Sequence, residues 1–227
     1  MLRLSLIYLK QNISLKWIFI SCCLIALLTR LVNFNTDSLI QLYGNAFSDR
    51  NLYHAIVFIT PSIIVLMING INLEYNSKSK FDLYTVSKSK HMSWWVLAKI
   101  ISIAVFSVLY SFIFLFVSYI ITKNTHSLFL VLSVMIVRYT FLLLVQLIVH
   151  IKVRRIQFTF MIPIIIEMII WIFTPYNFVL LGLVSTSQFI NIDINPIAIQ
   201  LFYFITLILY LLLSTKKVCL FEGERYD

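Results

Sequence analysis

The chain has 227 residues, 61% of them hydrophobic and only 12% charged, with a formal net charge of +9. A water-soluble domain carries roughly 25% charged and about 45–50% apolar residues, so this composition excludes one. The pattern also lacks the alternating, turn-punctuated ten-residue segments of an outer-membrane barrel.

Residues 1–16 mix apolar and basic side chains. Leu2, Leu6, Leu9 and Ile13 share one helical face, with Arg3, Lys10 and Ser14 on another. That spacing predicts an N-terminal helix lying in the cytoplasmic interface; the alternative is an extension of the first span. Six apolar runs follow, at 17–33, 52–73, 94–121, 128–150, 157–174 and 197–214. A span needs about 20 apolar residues, and unpaired backbone groups are too costly in lipid for any open structure but a helix. The expected fold class is therefore all-α: a polytopic membrane protein whose domain 17–216 holds six transmembrane helices, with residues 217–227 as a tail.

Within the first run, Arg30 sits near the outer end, where its head can snorkel to the headgroups. Cys22 and Cys23 are adjacent there and Cys219 lies in the tail, so no disulfide is expected. The stretch FISC is a poor lipoprotein box because Phe19 replaces a small aliphatic residue. With no small-residue cleavage site either, the run reads as a retained span. Trp17, Trp94 and Trp95 open two spans at one membrane face.

Orientation follows from the basic residues. Arg3, Lys10, Lys16, Lys78, Lys80, Lys88, Lys90, Lys152, Arg154, Arg155, Lys216, Lys217 and Arg225 fall on one side, against Arg50 and Lys123 on the other. The positive-inside rule then places both termini in the cytoplasm, and it accounts for the charge with no nucleic acid as partner. Of the outward loops, 175–196 has an apolar centre, FVLLGLV, too short to span. It reads either as a re-entrant segment or as a surface loop.

Chemistry-bearing motifs are missing. There is no phosphate-cradling GxxxxGK[ST], no HExxH, no GxSxG and no acidic cluster for a metal. Nothing nominates a catalytic residue or a metal site in this chain. Two ionisable residues do sit deep in apolar runs, Arg138 in the fourth and Glu167 in the fifth. A charge at a helix centre costs about 2.5–3.5 kcal/mol on insertion scales, so such residues face protein and find partners. Their depths from the outer face differ by roughly 5 Å at about 1.5 Å per residue. The two are expected to pair, or each to pair across a subunit interface. The pair is then either structural, or a latch beside a translocation path.

Between the second and third runs lies NLEYNSKSKFDLYTVSKSKHMSWWVLAKI, residues 72–100. Ser79 and Asp82 have capping-box spacing, predicting a short cytoplasmic helix from about Lys80, with Phe81 and Tyr84 on one face. An aromatic patch amid lysines reads as a docking surface, the alternative being a basic loop against anionic lipid.

An interfacial N-terminal helix, six spans and a cytoplasmic segment between spans two and three resemble the ABC-2 type permease family of ATP-driven exporters. The family's acid at the end of span two, apolar helix, Ser-plus-basic turn and re-entry lysine are matched by Glu74, FDLYTV at 81–86, Ser87-Lys88 and Lys99. Its usual Gly-Thr after the acid and Pro in the turn are absent. The small size and composition further resemble peptide-exporting and bacteriocin-immunity permeases of low-GC Gram-positive bacteria.

The resemblance implies a coupling helix that docks on a separate ABC ATPase subunit through Glu74, Lys78, Phe81, Asp82, Tyr84 and Lys88, with ATP and Mg bound by that partner. It also implies a second permease, as homodimer or heterodimer, and the bacterial plasma membrane as location. The cargo would be an amphipathic or hydrophobic peptide: a toxin, a bacteriocin or a modulin-like chain. The other readings are an immunity or sensor protein that binds a peptide without moving it, and a membrane-embedded enzyme.

Overall fold

The computed structural model describes residues 5–8, 10, 19–21, 23–24, 52–78, 92–122, 128–153, 156–173 and 205–211, all of them helical. Four long helices carry the fold: α1 (Leu52–Lys78), α2 (Met92–Thr122), α3 (Leu128–Val153) and α4 (Ile156–Phe173). Many of their residues are β-branched or aromatic, mediocre helix formers in water. In lipid the helix is enforced by the need to satisfy every backbone group within the segment.

Two helices among the described residues are long and apolar enough to cross a membrane, Trp94–Val117 with 24 residues and Met135–Val153 with 19. At about 1.5 Å per residue they reach roughly 36 Å and 28 Å, against a hydrocarbon core of about 30 Å. Ile59–Tyr75 and Gln157–Ile169 are shorter apolar helices. The first and sixth expected spans lie mostly outside the described residues, as do the re-entrant segment 175–196, the capping box at 79–82 and the tail.

Successive helices run up and down. The Ser107–Thr140 and Tyr110–Tyr139 contacts set α2 antiparallel to α3, while Asn69–Gln146 and Ser62–Glu167 set α1 parallel to α3 and antiparallel to α4. Helix α3 lies at the centre, packed against α1, α2 and α4, and α1 also packs against α4. One end of the bundle therefore gathers the end of α1, the start of α2, the end of α3 and the start of α4. The helical piece 205–211 reaches the same end, where Lys152 bonds to the Tyr210 hydroxyl and lies 4.5 Å over its ring.

The interior is mostly apolar, but the outward faces are apolar too, and several polar residues are turned inward. On α2, Val105, Leu109, Phe112, Phe116 and Ile120 form an exposed apolar stripe, whereas Ser102, Ser107 and Ser111 are buried. On α4, Phe158, Met161, Ile165 and Met168 face outward while Thr159 and Glu167 are buried. Hydrocarbon satisfies such an exterior and water does not, so these helices point to membrane association.

Trp94 and Trp95 part company. Trp94 is 50% exposed, as an interfacial anchor would be, but Trp95 is 5% exposed and donates a 2.9 Å hydrogen bond to Tyr8. Consecutive helical residues point about 100° apart, so one ring faces outward and the other holds the N-terminal helical piece against α2.

Candidate functional site

A buried polar layer crosses three helices. The Arg138 guanidinium of α3 pairs with Glu167 Oε1 of α4, and the Ser62 hydroxyl of α1 donates to the same oxygen at 2.7 Å. Glu167 is fully buried, and its Oε2 has no hydrogen-bond partner among the described residues. The carboxylate therefore ties three helices together through one oxygen. Proline lies beside both of the helix segments that meet there: Pro61 precedes Ser62, and Pro163 stands one turn before Glu167. Each proline lacks the N–H that would bond to the carbonyl four residues back, so the hydrogen-bond ladder is interrupted beside Ser62 in α1 and one turn before Glu167 in α4.

A second layer lies seven residues further along α1, roughly 10 Å away at about 1.5 Å per residue. Asn69 Nδ2 donates to Gln146 Oε1 at 2.8 Å, and Gln146 Nε2 donates to the Leu66 carbonyl, also at 2.8 Å. Buried Leu66, Leu142 and Leu143 occupy the turns between the layers. Next to this layer, Gly70 lets α4 come close. A Cβ there would run into the Phe160 ring and stand 2.9 Å from Gln146 Nε2.

Replacing Gln146 by Leu removes the acceptor of Asn69 Nδ2 and the donor to the Leu66 carbonyl. An unsatisfied buried group costs about 1–3 kcal/mol, so a lower thermal midpoint in detergent is expected for Gln146→Leu. The paired variant Asn69→Leu/Gln146→Leu should recover part of the loss.

Between α2 and α3, the hydroxyls of Ser107 and Thr140 lie 2.6 Å apart, so one donates across to the other, and the one that accepts donates in turn to a carbonyl of its own helix, Ala104 for Ser107 or Ile136 for Thr140. The Tyr110 and Tyr139 rings meet edge-on at 5.6 Å one turn away. These contacts draw α2 and α3 together through paired hydroxyls and packed rings, as packing in lipid requires.

Of the residues singled out from the sequence, Arg138 and Glu167 are thus brought together. Glu74 is half-buried near the end of α1, and Lys78 is that helix's last residue. Phe81, Asp82, Tyr84 and Lys88 lie outside the described residues. Sequence reasoning passed over Ser62, Asn69 and Gln146. Their signal was present: a carboxamide inside an apolar run needs a partner for the same reason that a charge does. No family model, curated protein or solved structure matches this chain.

Proposed function

We propose that this chain is the membrane subunit of an ABC-type exporter, an ABC-2-like permease that moves an amphipathic or hydrophobic peptide across the bacterial plasma membrane. A separate ATPase subunit binding ATP and Mg would drive it, and a second permease would complete the path. In this reading six spans cross the bilayer with both termini cytoplasmic.

The observation that carries the reading is the course of α1. This helix continues past its apolar stretch through Glu74 to Lys78, and α2 begins again at Met92 at the same end of the bundle. Lys152 and Tyr210 lie at this same end; the sequence 79–91 between the two helices carries aromatic and basic residues. From Lys78 back to Ser62 the helix is unbroken over roughly 24 Å at about 1.5 Å per residue. A push on the connection would travel along this rod to Ser62, and through it to Glu167 and Arg138. Pro61 sits where the rod meets the polar layer, so the displacement would be taken up there as a bend. Arg138 and Glu167 would then act as a latch between two tilts of α1 and α4, an element with two arrangements of the kind coupling requires.

The test is a pull-down of the tagged protein from mild detergent, followed by mass spectrometry and an ATPase assay. Wild type should bring down an ATPase, and Phe81→Ala/Tyr84→Ala should release it while keeping the elution profile of a folded protein. Wild type purifying alone and without ATPase activity would remove the exporter's engine. Peptide binding without transport, as in an immunity or sensor protein, would then become the better reading.

A further inference from the structure

Near the end of the bundle where α1 ends and α2 begins, Tyr8, Asn69, Asn72, Leu73, Lys99 and Ser102 line a small cleft of about 10 Å³ that is partly open to the surroundings. Lys99 is only 4% exposed, and its ammonium lies 4.4 Å from the Tyr8 ring centre and 5.1 Å from that of Trp95. A lysine near a span end would ordinarily snorkel into the headgroups. Here two aromatic faces hold the ammonium at the cleft, an attraction that strengthens when the cation is desolvated. Trp95 is itself fixed by its bond to Tyr8, so the clamp is rigid. The second feature is Ser102, 2% exposed, whose hydroxyl lines the same cleft and has no hydrogen-bond partner among the described residues.

A cation, a hydroxyl and two carboxamides around one opening form a donor-rich set that suits an anionic oxygen. The cleft has room for about one oxygen-sized atom, the least that a polar cavity needs to hold a guest, so a guest reaches in with one oxygen and keeps its bulk outside. Depth indicates the source. Lys99 lies five residues inside the exposed Trp94, roughly 7.5 Å at about 1.5 Å per residue, and interfacial tryptophans sit at headgroup level. We infer that this cleft is a binding site for the phosphate of an anionic phospholipid from the leaflet at this end of the bundle, a phosphate oxygen bonding to Lys99 Nζ and the Ser102 hydroxyl. The site is independent of whether the chain transports anything.

The test uses the full chain in phosphatidylcholine nanodiscs containing dioleoylphosphatidylglycerol, with the retained lipids counted by native mass spectrometry. Wild type should retain phosphatidylglycerol in preference to phosphatidylcholine. A hydrogen bond to a charged group is worth about 1.5–3 kcal/mol, so Lys99→Gln should weaken retention by about tenfold or more. Ser102→Ala should weaken it by roughly threefold to tenfold. Removing an unpartnered hydroxyl strands nothing, so the melting temperature of Ser102→Ala should not fall. That variant decides the matter if Lys99→Gln does not fold.

The exposed Lys152, at the same end, serves as control, and Lys152→Gln should leave retention unchanged. Equal loss in Lys152→Gln would mean diffuse attraction to the surface and overturn the site. So would retention indifferent to both cleft variants, since Ser102 would then be meeting water only. Displacement of the lipid by millimolar sodium phosphate, with the same dependence on Lys99, would reassign the cleft to a free anion and overturn the lipid.

Discussion

Replacing Glu167 alone by Leu is expected to destabilise the bundle more than any other single change in its interior. The substitution leaves the Arg138 guanidinium, buried at mid-helix, without the carboxylate it pairs with, and takes the acceptor from the Ser62 hydroxyl. Breaking a buried pair by removing one member costs about 3–5 kcal/mol, whereas replacing both members by apolar residues of similar volume is often neutral. Arg138→Met should therefore be nearly as damaging as Glu167→Leu, and Arg138→Met/Glu167→Leu should regain most of the loss. Denaturant titration of the three variants in detergent measures this directly.

The same series separates the two roles open to the pair. If the pair only joins helices, the double variant is both stable and active. If it is a latch between two tilts, the double variant is stable but no longer switches, and peptide export stops with the fold intact. A double variant destabilised by the sum of the two single losses would deny the coupling itself.

The second large effect is expected at Gly70. An alanine in a helix interior is worth about 1 kcal/mol more than glycine on propensity alone, so Gly70→Ala would be stabilising if the space were open. It is not: the added carbon meets the Phe160 ring of α4 and crowds the Gln146 amide. Overpacking costs about 1–3 kcal/mol, and displacing Gln146 also endangers its bonds to Asn69 and Leu66. The crowding should win, so Gly70→Ala should lower the melting temperature and Gly70→Val should lower it further. Shortening the opposing ring is the check. Gly70→Ala/Phe160→Leu should be more stable than Gly70→Ala, while Phe160→Leu by itself should lose stability through the gap it leaves. A Gly70→Ala protein as stable as wild type would show that α4 yields to α1 there.

Some of this arrangement could be read along the chain. Four of the six apolar runs coincide with α1, α2, α3 and α4 to within a few residues, because the backbone's need for internal hydrogen bonds in lipid leaves a long apolar run only one regular form. The meeting of Arg138 and Glu167 was legible for a related reason. Two opposite charges at similar depth in neighbouring antiparallel helices each carry a burial cost that the other offsets. Tyr8 was not legible. It lies in a stretch whose leucine spacing suggests an interfacial helix, and nothing in that spacing says that its ring would close over Lys99 and accept a bond from Trp95. Ser62, Asn69 and Gln146 look like isolated polar residues in apolar runs, and only the register of α1 against α3 and α4 shows what each one meets.

Composition and run length determined by themselves that the described residues form long apolar helices. These properties follow from the transfer of each residue between water and hydrocarbon, and that transfer depends on the residue and its immediate neighbours. Which polar groups share a layer, why Gly70 must stay small and where Lys99 directs its charge were decided by the tertiary structure. They depend on distances between helices, and lipid offers no hydrophobic force to set those distances, so packing and interhelical hydrogen bonds set them instead.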